Sequence, residues 1–422
     1  MVKRAFVLVT ALRWALEDCA GLPLFKRALL AAQKGGIEEF YVLARESAKL
    51  QPLLQDARFK ATICWVEESL PEEFFKSSSA VVIKGEMVFN PRVIEKVQNW
   101  ELGEDAAHLA VRKGMVERGT LVRLEGEKVS GIGGEEGDAL TAGILLVKPE
   151  ALKGINLGGH RNPITFPEVI RHLSNKGSIK AVNLSREFCQ EVTSIDTFKE
   201  SRNALYKRVG LSTDGLMSMY VNRKLSGLVT RLLIRLPITP NQITICSLLI
   251  GLVACWFFWQ GGYWHCVFAA LIYYASVIVD LSDGEVARLK FMQSWLGAWL
   301  DSICDSIIYA GVLVTTALAL SRAGYPYVLW AGLAAAISAI IILNLEPYLF
   351  SQNISEGVFN MSASFTERLA NVDTFQIALF IFVFSGKLLW FIWGMAVGWT
   401  VYLIIFFYKL FFRWLNRRHA TG

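Results

Sequence analysis

The second half of this 422-residue chain is a succession of apolar segments, and one junction between two of them carries four aspartates. Inside a bilayer every backbone polar group must be satisfied within the protein, so such segments fold as helices. Judged against the roughly 20 residues needed to cross, Ile243–Trp259, Tyr263–Val279, Trp295–Leu320, Tyr327–Leu345, Phe375–Trp390 and Phe391–Phe412 predict about six transmembrane helices. Carboxylates at membrane depth are expensive and are seldom kept without a function. Asp301 and Asp305 are four apart and share one helix face, and Gly297 lies one turn before them. Asp280 and Asp283 are three apart at the end of the preceding apolar segment. A hairpin of the two helices brings all four carboxylates together. Their mutual repulsion calls for a cation, and an all-oxygen ligand set suits Mg²⁺, Mn²⁺ or Ca²⁺. Glu285, just beyond Asp283, is expected to face water or the lipid headgroups.

Charge placement supports the membrane assignment. Lys207, Arg208, Arg223, Lys224, Arg231 and Arg235 crowd the approach to the first apolar segment, and Lys409, Arg413, Arg417 and Arg418 follow the last. This is a membrane-surface pattern and not a nucleic-acid one. An even number of spans puts both ends on one side, and the basic clusters make that side cytosolic. The expected location is the cell (inner) membrane, with the soluble half and the aspartates on the cytosolic side. The seven cysteines are scattered singly, without metal or disulfide spacing, as in a reducing compartment. The Met-Val-Lys-Arg start with its short apolar run lacks the length of a signal peptide.

Three regions are expected: residues 1–205, soluble; 206–242, a junction; and 243–422, the membrane domain. In the first, the short apolar runs Phe6–Val9, Phe40–Leu43, Ala61–Val66 and Ala80–Ile83 read as buried strands, separated by helical patterns at Leu24–Gln33, Ala48–Leu54 and Pro91–Val97. That alternation predicts a doubly wound α/β domain. In the junction, Leu228, Val229, Leu232, Leu233 and Leu236 recur at helical spacing with Arg231 and Arg235 on another face. This reads as an amphipathic helix lying in the membrane interface or packed on the soluble domain.

The segment Gly21-Leu-Pro23-Leu24-Phe-Lys26-Arg27 through Gly35-Gly36-Ile37 resembles the second motif of the sugar-phosphate nucleotidyltransferases. Gly85-Glu86 resembles the place where that family carries a metal-binding aspartate, and Ser194-Ile-Asp196-Thr197 resembles its closing segment, so Glu86 and Asp196 mark a possible vestigial metal site. The chain departs from the family after its first strand. Backbone N–H groups of a Gly-rich loop would cradle a triphosphate there, but this chain has Thr10-Ala11-Leu12-Arg13-Trp14, without glycine. The domain is expected to be nucleotidyltransferase-like and degenerate.

The junction motif Asp280-x₂-Asp283-Gly284-x₂-Ala287-Arg288-x₈-Gly297-x₃-Asp301-x₃-Asp305 resembles the signature of the CDP-alcohol phosphotransferases at every fixed position. With Asp214-Gly215, Asn222-Arg223, Ser226 and Thr239-Pro240-Asn241-Gln242, the arrangement resembles cytidylyltransferase/di-inositol-phosphate-phosphate synthase fusions over nearly the whole chain. The resemblance implies two Mg²⁺ or Mn²⁺ ions held by Asp280, Asp283, Asp301 and Asp305, with Asp305 as general base and Arg288 on the phosphates. It implies a CDP-binding site of Pro240, Asn241, Asp280, Gly284, Ala287, Arg288 and Gly297, and a homodimer.

The expected activity is transfer of a phospho-alcohol group, phosphatidyl or polyol-phosphate, from a CDP-linked donor to an alcohol or polyol-phosphate acceptor, with release of CMP. The donor is CDP-diacylglycerol or a CDP-polyol, and membrane lipids are the other partners. One alternative is a bifunctional enzyme that also makes its CDP-polyol. An alternative of another class is a transporter or non-catalytic scaffold.

Overall fold

The computed structural model describes residues 2–113, 120–133, 136–158, 164–184, 187–209, 221–352 and 372–420. The chain divides into two compact units, Met1–Arg208 and Val209–Gly422.

The first unit is α/β. Strands β1 (Arg4–Val9), β2 (Glu39–Ala44), β3 (Thr62–Val66) and β4 (Ala80–Lys84) alternate with helices α1 (Leu12–Leu16), α2 (Leu24–Lys34) and α3 (Ser47–Leu54). Strand β5 (Met87–Phe89) and helix α4 (Arg92–Gln98) precede β6 (Ala107–Lys113), β7 (Leu121–Glu125), β8 (Lys128–Ile132) and β9 (Ala139–Val147). Helix α5 (Phe166–Ser174), β10 (Ile179–Asn183), β11 (Cys189–Glu191) and α6 (Ile195–Lys207) complete the unit. Nine strands form one sheet in the order β3-β2-β1-β4-β9-β6-β10-β8-β7, and β5 pairs with β11 separately. Strands β1 to β4 are parallel neighbours, with Phe6 opposite both Tyr41 and Val82. Strand β9 runs antiparallel between β4 and β6, so the sheet is mixed. All nine residues of β9 are buried, as a central strand covered on both faces requires.

The second unit is helical. Helix α7 (Arg223–Leu233) leads to α8 (Pro240–Gln260), α9 (Tyr263–Leu289), α10 (Trp295–Arg322), α11 (Val328–Gln352), α12 (Val372–Phe384) and α13 (Leu388–Ala420). Among the described residues five helices are long and apolar enough to cross a membrane: α8, α9, α10, the Val328–Leu345 part of α11 and the Leu388–Tyr408 part of α13. The apolar part of α12, Thr374–Phe384, is shorter. The sequence places the last boundary near Trp390, but the helix breaks at Gly386, whose φ of +69° closes the end of α12. The Gly386 and Lys387 N–H groups donate to the Val383 and Phe382 carbonyls there. Most of residues 346–372, Arg368 among them, lies outside the described residues.

Small residues line the inside of the bundle, with Ala254, Ala269, Ala270, Ala317, Ala335 and Ala339 buried, while Trp264, Trp330, Trp390 and Ile404 face outward. Without a hydrophobic force between helices in lipid, close backbone approach supplies the packing. Gly332 of α11 is the tightest case: a Cβ there would stand 2.4 Å from Ala317 Cβ of α10. Gly332→Val should destabilise the purified protein by about 1–3 kcal/mol, whereas Gly394→Val, which meets nothing within 4 Å, should leave its melting temperature near wild type. Thermal unfolding in detergent checks the pair, and equal melting temperatures would contradict the packing.

Candidate active site

Thr239, Pro240 and Gln242 form a helix start: the Thr239 N–H donates to Gln242 Oε1 at 2.9 Å, and Pro240 occupies the first turn. This fixes Pro240 and Asn241 at the mouth of α8. Helix α9 continues unbroken past Val279 to Leu289, so Asp280, Asp283, Gly284, Ala287 and Arg288 all ride on its last turns. A short turn, with Phe291 at φ +54°, reverses the chain. Ser294 then caps α10, accepting from the Gly297 N–H at 3.0 Å. The motif is therefore a hairpin of two helices.

Carboxylate oxygens of Asp280, Asp301 and Asp305 lie within 4.8 Å of one another, the one such cluster of three among the described residues. Asp283 stands with Asp301 in the wall of an adjoining cavity of about 180 Å³. Pro240, Asn241, Gly284, Ala287, Arg288 and Gly297 line the same cavity, as do Thr244, Met292, Gln293, Ser294 and Ala298. Asp301 thus belongs both to the cluster and to the cavity, and Asp280 and Asp305 lie behind it. Gly297 has a specific steric role, since a Cβ there would come within 3.2 Å of Asn241 Oδ1 and 3.0 Å of Ser294 Oγ.

Side chains from α8 orient the α9 carboxylates. Ser247 Oγ donates to Asp280 Oδ1 at 3.0 Å, and Thr244 Oγ1 donates to Asp283 Oδ2. Ser276 of α9 returns a bond to the Ser247 carbonyl at 2.7 Å. On α10, Ser302 and Ser306 are joined to Asn344 of α11 at 3.3 and 2.7 Å. These hydroxyls were not singled out in the sequence; their signal is a Thr244–Ser247 step of three residues on an otherwise apolar helix. The donor set fits a hard divalent cation. It consists of oxygens alone, and Asp301 Oδ1 is buried with no hydrogen-bond partner.

One sequence expectation is corrected in its surroundings. Glu285 does not face water or headgroups: it is 4% exposed and accepts hydrogen bonds from Ser226, Thr230 and Arg223 of α7. In the first unit, Glu86 is 1% exposed, and its Oε1 accepts from the Ala11 N–H of the loop after β1. Burial pushes its carboxyl above the usual range against that backbone bond. Asp196 sits exposed in the first turn of α6. Neither joins a cluster of three metal-ligating side chains among the described residues. The loop itself folds into α1, and Trp14 stacks on Phe198 of α6 with ring centroids 5.8 Å apart.

Residues 237–407 match the sequence model of the family described as CDP-alcohol phosphatidyltransferase. A bifunctional IPC transferase and DIPP synthase of Aquifex aeolicus is 25% identical over 353 residues, covering 79% of this chain and 78% of that protein. The protein of the same name in Thermococcus kodakarensis is 24% identical, covering 72% and 71%. An archaetidylinositol phosphate synthase of Pyrococcus horikoshii is 34% identical over 90 residues, covering 21% of this chain and 46% of the relative. Among solved structures, the inositol-1-phosphate CTP transferase from T. maritima aligns with 50% of this chain and 98% of its own, at a TM-score of 0.39 and 16% identity. The second unit thus carries a CDP-alcohol phosphatidyltransferase domain. The chain is a phosphotransferase enzyme whose first unit is α/β.

Thr244→Val and Ser247→Ala should each weaken divalent-cation binding about 10–100-fold, the usual cost of losing a partner that orients a ligand. Calorimetric titration of the purified variants with Mg²⁺ checks this; wild-type affinity in both would contradict the orienting role.

Proposed function

We propose that the enzyme is an integral membrane protein of the cell (inner) membrane that transfers a phospho-alcohol group from a CDP-linked donor to an alcohol or polyol-phosphate acceptor, releasing CMP. The observation that carries this reading is the cavity of about 180 Å³ that opens onto Asp301, with Asp280 and Asp305 clustered behind it. Pro240, Asn241, Gly284, Ala287, Arg288 and Gly297 form the CDP site together with Asp280. Gly284 and Ala287 leave room along α9, and Arg288 offers a bidentate fork to the phosphates. Asp280, Asp283, Asp301 and Asp305 hold two divalent ions, Mg²⁺ or Mn²⁺. Such ions, when bound, neutralise the charge that builds on the pyrophosphate oxygens. Asp305 takes the proton of the attacking hydroxyl. The hydroxyl oxygen bonds to the phosphorus that bears the donor's alcohol, the bond from that phosphorus to CMP breaks, and CMP leaves with the electron pair.

The site faces the cytosol, where CDP donors are soluble or reachable at the membrane surface; Lys224, Arg231 and Arg235, which precede α8 in the chain, support that orientation. The working unit is a homodimer, in keeping with the family resemblance. The regions act as a nucleotidyltransferase-like domain (1–205), a juxtamembrane junction (206–242) and a catalytic membrane domain (243–422). The first unit is a degenerate nucleotidyltransferase, because Glu86 and α1 fill the loop that a triphosphate would need, and Glu86 and Asp196 are then remnants of its metal site. A bifunctional enzyme that makes its own CDP-polyol is the second reading, favoured by the names of relatives that cover 79% and 72% of the chain.

Purified protein with Mg²⁺ should release CMP from CDP-diacylglycerol or CDP-inositol when given inositol phosphate or another polyol acceptor, and the two donors distinguish the lipid product from the soluble one. Asp305→Asn should lower the rate by about 10²–10⁴-fold. Absence of CMP from every donor, or a fully active Asp305→Asn, would sink the proposal. With CTP and inositol 1-phosphate alone the protein should release no pyrophosphate; sustained release would instead establish the bifunctional reading.

A further inference from the structure

Helix α7 is inverted relative to a soluble amphipathic helix. Leu225, Leu228 and Leu232 are exposed, at 38%, 61% and 65%, while Asn222, Ser226 and Thr230 are wholly buried. The buried polar row spaces at four residues, so it forms one stripe, and it faces the back of α9. Glu285 is the centre of that contact. It lies two residues after Asp283, about 200° round the helix from it, and so points away from the carboxylate cluster. Ser226 Oγ donates to Glu285 Oε1 at 2.7 Å and Thr230 Oγ1 to Oε2 at 2.6 Å, while Arg223 Nη1 pairs with Oε1 at 3.0 Å. Both carboxylate oxygens are thereby occupied, which is what a buried charge requires.

The contact extends at both ends. Tyr274 of α9 donates to Asn222 Oδ1 at 2.9 Å, and Asn222 Nδ2 donates to Gln376 Oε1 of α12 at 3.2 Å. Towards α8, Lys290 Nζ donates to the Leu236 carbonyl at 3.0 Å and to the Ile238 carbonyl at 3.4 Å. That linker runs directly into Thr239, Pro240 and Asn241, the mouth of α8 and one wall of the cavity.

We infer that Glu285 is a positioning residue: it tethers the interfacial helix α7 to the back of the motif helix and thereby sets the Pro240–Asn241 wall of the donor pocket. This rests on the CDP-donor reading of that cavity. The carboxylates themselves sit on α9 and α10, which are packed and bonded to α8 and α11 independently of α7. Loss of the tether therefore acts on donor binding and spares the chemical step. A residue needed only for folding would instead reduce the active fraction, lowering kcat at an unchanged KM.

Two measurements on the full-length protein in detergent test this. In Glu285→Ala, hydrogen exchange should accelerate in peptides covering residues 223–239 and stay at wild-type rates in α10 and α11. The KM for the CDP donor should rise about tenfold or more, the effect of about 1.4 kcal/mol of lost binding, with the acceptor KM and kcat little changed. Glu285→Gln, which keeps the shape but not the charge opposite Arg223, should fall between. If Glu285→Ala does not fold, the Ser226→Ala/Thr230→Val double variant, which leaves Glu285 and Arg223 paired, should show the same exchange pattern. Unchanged exchange over 223–239 would overturn the inference, as would accelerated exchange with an unchanged donor KM. If wild type releases no CMP from any CDP donor, the functional reading fails, and the exchange pattern still decides whether the tether exists.

Discussion

Like charges crowded into a helical bundle govern the second unit. Asp280, Asp301 and Asp305 place oxygens within 4.8 Å of each other, and a single pair of unit charges at about 4 Å costs about 4 kcal/mol at an effective dielectric of 20. The surrounding architecture keeps this arrangement in place. Hydroxyls of Thr244 and Ser247 hold the α9 carboxylates from one side, and Ser302 and Ser306 fasten α10 to Asn344 on the other. Alanines and glycines let these helices approach closely enough for such short side chains to reach. The result is a preorganised, oxygen-only set in which Asp301, whose Oδ1 is buried without a hydrogen-bond partner, also lines the cavity.

Glu285 and Glu86 show two ways of burying a carboxylate. Glu285 meets a full complement of donors from another helix, and the charge acts as a fastening. Glu86 is satisfied on one oxygen by the Ala11 N–H, while its Oε2 has no hydrogen-bond partner. Here the buried Glu86 carboxyl takes the Ala11 N–H, and Trp14 stacks on Phe198.

Much of this was legible in the sequence because it depends on local spacing. The three- and four-residue steps among the aspartates fixed which carboxylates share a helix face, and the apolar run from Ile243 located α8, which starts three residues earlier at Pro240. Short apolar runs located β1 to β4. What depends on distant partners was not legible. Glu285 reads as a surface residue because its donors lie 55 to 62 positions earlier in the chain. The antiparallel insertion of β9 cannot be told from a parallel strand by composition, since both are continuously apolar when central. Ser385-Gly386-Lys387 is only a brief polar step in the sequence, and the left-handed conformation of Gly386 turns it into a helix end. The cavity residues Met292, Gln293 and Ser294 come from the reversing turn, where no periodicity points inward.

The central claim is that the facing turns of α9 and α10 hold two divalent ions together. The most direct measurement is electron paramagnetic resonance of the purified protein loaded with Mn²⁺ in the presence of CDP. Two ions per chain with the exchange and dipolar coupling of a close pair are predicted, and that coupling should disappear in Asp301→Asn. A single uncoupled Mn²⁺ per chain, or coupling that survives loss of Asp301, would contradict the account.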